Sequence, residues 1–373
     1  MTTKKLSNAV ITTPPHQDKP GTQPTMRPLK RRVFDYDFIR FIAICFVLSV
    51  HASWMTYHAY TPLQAAYADT MRSIFLTCNG LFFLLAGKFA LTKHAYENIN
   101  TFYAKKFSAL IIPLLIIGFI RTLYHMYPQY ETLPHVLKTY VVNLASAFFN
   151  SEFWFMFVLI PLIFAAPFLA PAFEKLHRTK LNWFFVLVLV WLTMHFVAVN
   201  KALPFAWTWI FPGINVSYFF LFCIGATFEE YFESKRAKSV LIACGCLAFI
   251  ACILCHYLGF VKQLDDNSPL YIALTLSMFF LLKRLSKLCK YIQKPISFVA
   301  PYVFYIYLLH MPFQYTIRYF FPAITEPNSI VIFIPLVIAS FIGSFVLGIV
   351  IDKLLVKPCQ TLFLSLCRGR KRA

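Results

Sequence analysis

The sequence predicts an all-α integral membrane protein, a single bundle of about ten transmembrane helices. Three observations predict it. Of the 373 residues, 59% are hydrophobic, 18% aromatic and only 13% charged, where a soluble domain carries about 25% charged residues. Apolar runs of roughly twenty residues, the length that crosses a hydrocarbon core, recur along the whole chain. Lys and Arg gather in alternate connections between those runs, the pattern that orients membrane helices.

The elements follow in order. Residues 1–34 are polar and basic, with Pro14, Pro15, Pro20, Pro24 and Pro28, and read as a disordered cytoplasmic tail rather than a secretory leader. A transmembrane domain occupies 35–353. Its spans fall at 36–55, 73–91, 108–126, 153–171, 181–199, 214–231, 239–260, 269–283, 297–317 and 330–352. Between the third and fourth, the apolar content of 134–150 is interrupted, which predicts a short or re-entrant helix on the outer side. An eleventh span there would reverse every later loop against the charge pattern. Residues 354–373 form a basic cytoplasmic tail. Lys and Arg number 27 across the N-terminal tail, the C-terminal stretch from Lys353 and the 92–107, 173–180, 233–238 and 283–294 connections, against five on the other side: Arg72, Lys138, Lys201, Lys262 and Arg318. Both termini are therefore expected in the cytoplasm.

The same distribution disposes of a nucleic-acid partner. The net charge of +20 is topological, with attraction to anionic membrane lipids as its side effect. The ten cysteines sit mostly within apolar runs and read as small hydrophobes, not a disulfide framework. Cys252-Ile-Leu-Cys255-His256 fits a haem-attachment pattern by letter, but it lies inside an apolar run with no soluble domain around it. No metal-ligand spacing and no phosphate-binding glycine loop appears, so no bound cofactor is expected. No internal repeat supports an inverted-repeat transporter.

The first span holds the most informative residues. Eleven positions separate Arg40 from His51 in an otherwise apolar segment, about 16 Å at 1.5 Å per residue. Charged and titratable groups at membrane depth are expensive and mark function by default. Arg40 either binds an anion or snorkels to the head groups, with Asp37 at i−3 as its partner. His51 is too deep to snorkel. It either does acid–base or nucleophilic work or is a hydrogen-bonded interior residue.

The run Asp37-x-x-Arg40-x-x-Ala43 ending in His51 resembles the start of the membrane-bound acyltransferase 3 family. Further segments are similar in family order: Phe82-Phe-Leu-Leu-Ala-Gly87, with Ala86 where Ser is usual; Phe102-Tyr-Ala-Lys-Lys-Phe-Ser-Ala-Leu-Ile-Ile-Pro113; Phe153-Trp-Phe-Met-Phe-Val-Leu-Ile160; and Tyr305-Ile-Tyr-Leu-Leu-His-Met-Pro312. The resemblance implies transfer of an acyl group, often acetyl, from cytoplasmic acyl-CoA to a hydroxyl of an extracytoplasmic glycan or lipid-linked glycan. It implies Arg40 and His51 as the essential pair. It also implies a multi-pass protein of the bacterial inner membrane. One departure stands out. Where the family's loop often has Arg-x-x-Arg, this chain has Lys105-Lys106 followed by Phe-Ser-Ala, and lysine meets phosphate as a point charge without the planar fork.

The remaining polar groups divide as follows. Lys105 and Lys106, in a loop before the third span, bind donor phosphate or only fix topology. Glu152, beside Trp154, reads as a solvated helix-start residue, with orienting the acceptor hydroxyl as the alternative. His310 either joins the site or is a bundle histidine. Arg121 and Lys88, near span ends, read as snorkelling residues, and His195 as a packing residue. His51 acts as general base toward the acceptor or carries the acyl group as an acyl-imidazole; the residues do not separate the two. A non-enzymatic transporter or exporter of a lipid-linked glycan is the alternative function, and it leaves the ordered motif set without a reason.

Overall fold

The computed structural model describes residues 33–56, 70–127, 132–146, 152–175, 178–199, 216–258, 268–321 and 330–369. Of the expected tail at 1–34, residues 1–32 lie outside them, and Phe34 already begins the first helix. Among the described residues there are helices and turns and no strand. In chain order the helices are α1 (Phe34–Thr56), α2 (Thr77–Ala90), α3 (Lys93–Glu97), α4 (Ile99–Lys106), α5 (Ile112–Met126), α6 (Leu133–Ala145), α7 (Trp154–Lys175) and α8 (Arg178–Val199). They continue as α9 (Val216–Gly225), α10 (Phe228–Tyr231), α11 (Lys235–Tyr257), α12 (Pro269–Leu288), α13 (Gln293–Val299), α14 (Val303–Phe320), α15 (Ile330–Ile351) and α16 (Lys357–Gly369).

The helix that holds the candidate pair is the axis of the bundle. α1 is apolar almost all round, as a helix enclosed by others must be. It packs against α2, α12, α13, α14 and α15, and Ile39, Ala43, Ile44 and Leu48 are wholly buried. The peripheral helices do the opposite. Leu187 and Val190 on α8, Leu247 and Ile250 on α11, and Ile338 and Val346 on α15 face outward. A bundle in water could not leave so many exposed; in a bilayer they are solvated by lipid.

Two devices allow close packing and broken helices. A Cβ added to Gly87 would lie 1.8 Å from the Phe222 carbonyl oxygen, and one added to Gly225 would lie 2.2 Å from that of Leu84. α2 and α9 therefore meet backbone to backbone, the small-residue contact of membrane helices. This is what the glycine in Phe-Phe-Leu-Leu-Ala-Gly87 does. Where the helix leading into α2 breaks, Tyr271 repairs the ladder. Its hydroxyl donates to the Leu76 carbonyl at 2.9 Å and accepts from the Gly80 N–H at 2.8 Å, since backbone groups at membrane depth need protein partners.

Nine helices among the described residues are long and apolar enough to cross a membrane, and the architecture is all-α and polytopic. The expected sixth span, 214–231, departs from this. Its described part is the ten-residue α9 followed by the one-turn α10, and residues 200–215 lie outside the description. The described part of the 134–150 segment, to residue 146, is the short helix α6 and its closing turn. Two expected loops are helical. Residues 93–106 form α3 and α4, and α4 runs through a π-helical turn at Phe107–Ile111 into α5 without interruption. The 283–294 connection finishes α12, then makes a 3-10 turn and starts α13.

Candidate active site

α1 presents two groups of polar residues, one near each end. At its N-terminal end Arg40 donates to Asp37 Oδ1 at 3.1 Å, with the arginine side chain 29% exposed and the aspartate 2%. The guanidinium lies 4.8 Å over the Phe89 ring. Lys106, at the end of α4, stands within electrostatic reach of Arg40. Its ammonium is 5.5 Å from the Phe102 ring one turn back. Lys105 is exposed. The lysine pair thus stands on a helix rather than in a loop, because the aromatic and aliphatic residues on both sides of it continue the helical packing. The turn that follows is clamped by α16, through Gln360 donating to the Ser108 carbonyl at 2.9 Å and Phe363 stacked on Phe107. Bulges of this kind recur at functional sites.

A second cluster shares this end. Glu229 on α10 binds both Lys88 and Lys283 and accepts from the Tyr36 hydroxyl at 2.6 Å. Burial would raise its carboxyl, but hydrogen bonds from Lys283, Lys88 and Tyr36 outweigh burial and hold it below the ordinary value. Lys88 therefore has an ionic partner and does not simply snorkel. A cavity of about 480 Å³ opens among residues next in chain to this cluster, including Leu91, Thr92, Thr227, Glu230 and Tyr231.

The C-terminal end of α1 is built differently. The His51 ring lies 5.0 Å from that of His310 on α14, tilted by 49°. His310 is wholly buried, and its Nδ1 is 2.6 Å from the Tyr307 carbonyl. A carbonyl oxygen only accepts, so Nδ1 carries a proton, and in the neutral ring Nε2 is the acceptor. That Nε2 is buried and meets no partner among the described residues, as does Gln314 Oε1 one turn further on. A buried polar atom left so costs about 1–3 kcal/mol, which a ligand hydroxyl would recover. Gln314 Nε2 donates to the Leu48 carbonyl at 3.1 Å, tying α14 to the turn of α1 that precedes His51.

Behind the histidines is a buried ion pair. Arg121 on α5 donates to Glu152 at 2.5 Å, the side chains being 8% and 3% exposed. Arg121 Nε also donates to His125 at 3.1 Å, and the guanidinium stacks 4.7 Å over Phe153. The Glu152 backbone carbonyl accepts from the Tyr307 hydroxyl, whose own carbonyl holds His310. Burial raises the Glu152 carboxyl, opposed by Arg121. Glu152 is therefore no solvated helix-start residue. The sequence also made Arg121 a boundary residue, and both corrections have one cause: each charge supplies the other's counter-ion. Trp154 lies beside this pair, its ring 5.7 Å from Tyr218. His195 is buried on α8.

Of the sequence-derived residues, the fold thus joins His51 with His310 and places Glu152 at that end through Tyr307, with Trp154 two residues further on in the chain. It joins Arg40 with Asp37 and Lys106 at the other, about 16 Å along α1. Tyr307, Gln314, Arg121, Tyr36, Lys88, Glu229 and Lys283 were missed. The i,i+3 spacing of Tyr307 and His310 was the one available signal. No group of three or more His, Cys, Asp or Glu suited to a metal comes together among the described residues.

The family model Acyl_transf_3, described as an acyltransferase domain, matches residues 33–349. The chain belongs to the acyltransferase 3 family. It is a multi-pass membrane acyltransferase, and the family match spans both clusters, from α1 to α15. No curated protein and no solved structure matches the chain.

Proposed function

We propose that this acyltransferase 3 member is an O-acyltransferase. It moves an acyl group, acetyl in the first instance, from acyl-CoA to a hydroxyl of a cell-envelope or lipid-linked glycan. The observation that carries the reading is the pairing of His51 with His310, whose Nε2 is a buried acceptor with no partner among the described residues, at the end of α1 opposite Arg40. Such an atom suits an acceptor hydroxyl. Arg40 suits the phosphates or thioester of the donor, with Lys106 beside it, and the long thin pantetheine arm suits the distance between the ends.

In the transfer, the acceptor oxygen forms a bond to the thioester carbonyl carbon and the carbon–sulfur bond breaks. The hydroxyl proton passes to imidazole, and the CoA thiolate leaves and takes up a proton. The transfer runs either directly, with His51 as base, or through an acyl-imidazole at His51 that the acceptor then attacks. Glu152 and Trp154 border the acceptor side. Anionic lipids surround the basic end, and no bound cofactor takes part.

The alternation of basic residues supports a bacterial inner-membrane orientation with both termini cytoplasmic. Reporter fusions after Lys290 are expected to report cytoplasm and those after Asp266 the outside; the reverse at either site overturns the orientation. The activity itself is tested by incubating membranes with radiolabelled acetyl-CoA and comparing envelope glycans by mass spectrometry with and without the chain. Chain-dependent label on a glycan supports the reading. Glycan movement without acyl turnover makes the protein an exporter.

A further inference from the structure

We propose that Lys88 and Lys283 form a phosphate-binding site, held in the unliganded state by Glu229, that takes a phosphate of the nucleotide part of the acyl donor. The inference rests on the acyl-CoA reading above and adds a site to it.

Charge is the first reason. One carboxylate, Glu229, serves two ammonium groups, so the trio keeps one positive charge in excess. The side chains of Lys88, Lys283 and Glu229 are only 23%, 28% and 17% exposed. A part-buried cation without its own counter-ion is costly, and one lysine would have satisfied Glu229. Asp37 is paired with Arg40, and Asp35 accepts from the Ser286 hydroxyl at 2.7 Å, so neither is an ion-pair partner of the two lysines. The surplus is the condition for binding an anion.

Geometry is the second. Both ammonium groups lie over the Tyr36 ring, at 5.2 and 5.5 Å from its centroid. The cations are thereby held side by side by α1, α2 and α12. An entering phosphate takes their N–H donors, and Glu229 keeps the Tyr36 hydroxyl.

Position is the third. Tyr36 meets Phe89 edge-on at 5.4 Å, and Arg40 covers Phe89 at 4.8 Å. The lysine pair and Arg40 therefore stand over two neighbouring rings, Tyr36 and Phe89. A donor with several phosphate charges spans that distance, whereas acetate or a neutral sugar makes no use of it. A phosphate of an anionic lipid head group has the same chemistry, and the experiment separates the two sources.

The protein is purified into nanodiscs of zwitterionic lipid, and CoA binding is measured by calorimetry. Wild type is compared with Lys88→Gln/Lys283→Gln, Lys88→Arg/Lys283→Arg and Glu229→Gln, with thermal unfolding of each. The double glutamine variant is expected to bind CoA on the order of tenfold more weakly, as expected for lost charge-assisted hydrogen bonds. The double arginine variant is expected to restore most of it. Glu229→Gln is the sharper probe: by removing the competing carboxylate it keeps or tightens CoA binding. A merely structural cluster predicts that Glu229→Gln weakens binding together with the lysine variant, and that result overturns the site. Equal CoA binding by wild type and the double glutamine variant overturns it too. If wild type binds no CoA, the donor reading itself fails. In that event, lysine-dependent binding of phosphatidylglycerol vesicles leaves an anion site for lipid and refutes the nucleotide assignment.

Discussion

The two ends of α1 use the same kinds of residue in opposite ways. At the Arg40 end the cations are part-exposed and stand over aromatic faces, and one part-exposed carboxylate, Glu229, is shared by two lysines. At the His51 end, Arg121 and Glu152 are closed from solvent, and the chain of contacts through Tyr307 to His310 is buried throughout. Part-exposed ion pairs exchange partners at little cost, since Coulomb attraction near solvent is weak. Buried ones do not, because separating them strands a charge. The first end is suited to admit and release an anion, and the second to keep two imidazoles in place.

The contrast breaks first at the ion pairs. Arg121→Leu leaves the Glu152 carboxylate buried without a counter-ion and is expected to lower stability by about 3–5 kcal/mol. The double change Arg121→Leu/Glu152→Leu is expected to recover most of that loss, because no stranded charge remains. Lys88→Gln at the other end is expected to cost under about 1 kcal/mol, since Glu229 keeps Lys283 and Tyr36. Thermal unfolding in detergent measures all three; equal losses for Arg121→Leu and Lys88→Gln would erase the distinction.

A smaller effect sharpens the picture at Arg40. Arg40→Lys keeps the charge but loses the planar donor fork and its fit over Phe89. It is expected to lower kcat/KM for acetyl-CoA by about tenfold, one lost charge-assisted hydrogen bond. Full activity in that variant would make Arg40 a snorkelling residue.

How far these ends were legible in the sequence follows from the range of the interactions. The Arg40–His51 spacing and the Asp37 partner were readable because they lie within one helix, whereas His310 was left open between a site residue and a bundle histidine because its neighbour His51 is far away in the chain. Apolar runs and basic alternation gave the polytopic bundle. The Arg121–Glu152 pair was not readable. Its members are 31 residues apart, and each alone looks like a boundary charge. Glu229 was likewise invisible as the hub of Tyr36, Lys88 and Lys283, which come from three other helices. The helix through Lys105 and Lys106 was missed because two adjacent lysines suggest a loop, whereas Phe102 and Phe107 on either side pack as helix residues.

The smallest expected effect is at those lysines. Lys105→Ala/Lys106→Ala is expected to raise KM for acyl-CoA a few-fold with little change in kcat, the signature of lost uniform binding. The rise should grow at low ionic strength. Most of it should come from Lys106, which faces Arg40, and little from the exposed Lys105. Unchanged KM with normal insertion would leave both as topology determinants.

The most direct measurement is acyl transfer by His51→Ala in membranes supplied with labelled acetyl-CoA, with the variant's membrane abundance measured in the same samples. The two-ended account predicts abundance near wild type and no label on the acceptor. Transfer at most of the wild-type rate would contradict it, because the imidazole pair would then have no part in the chemistry.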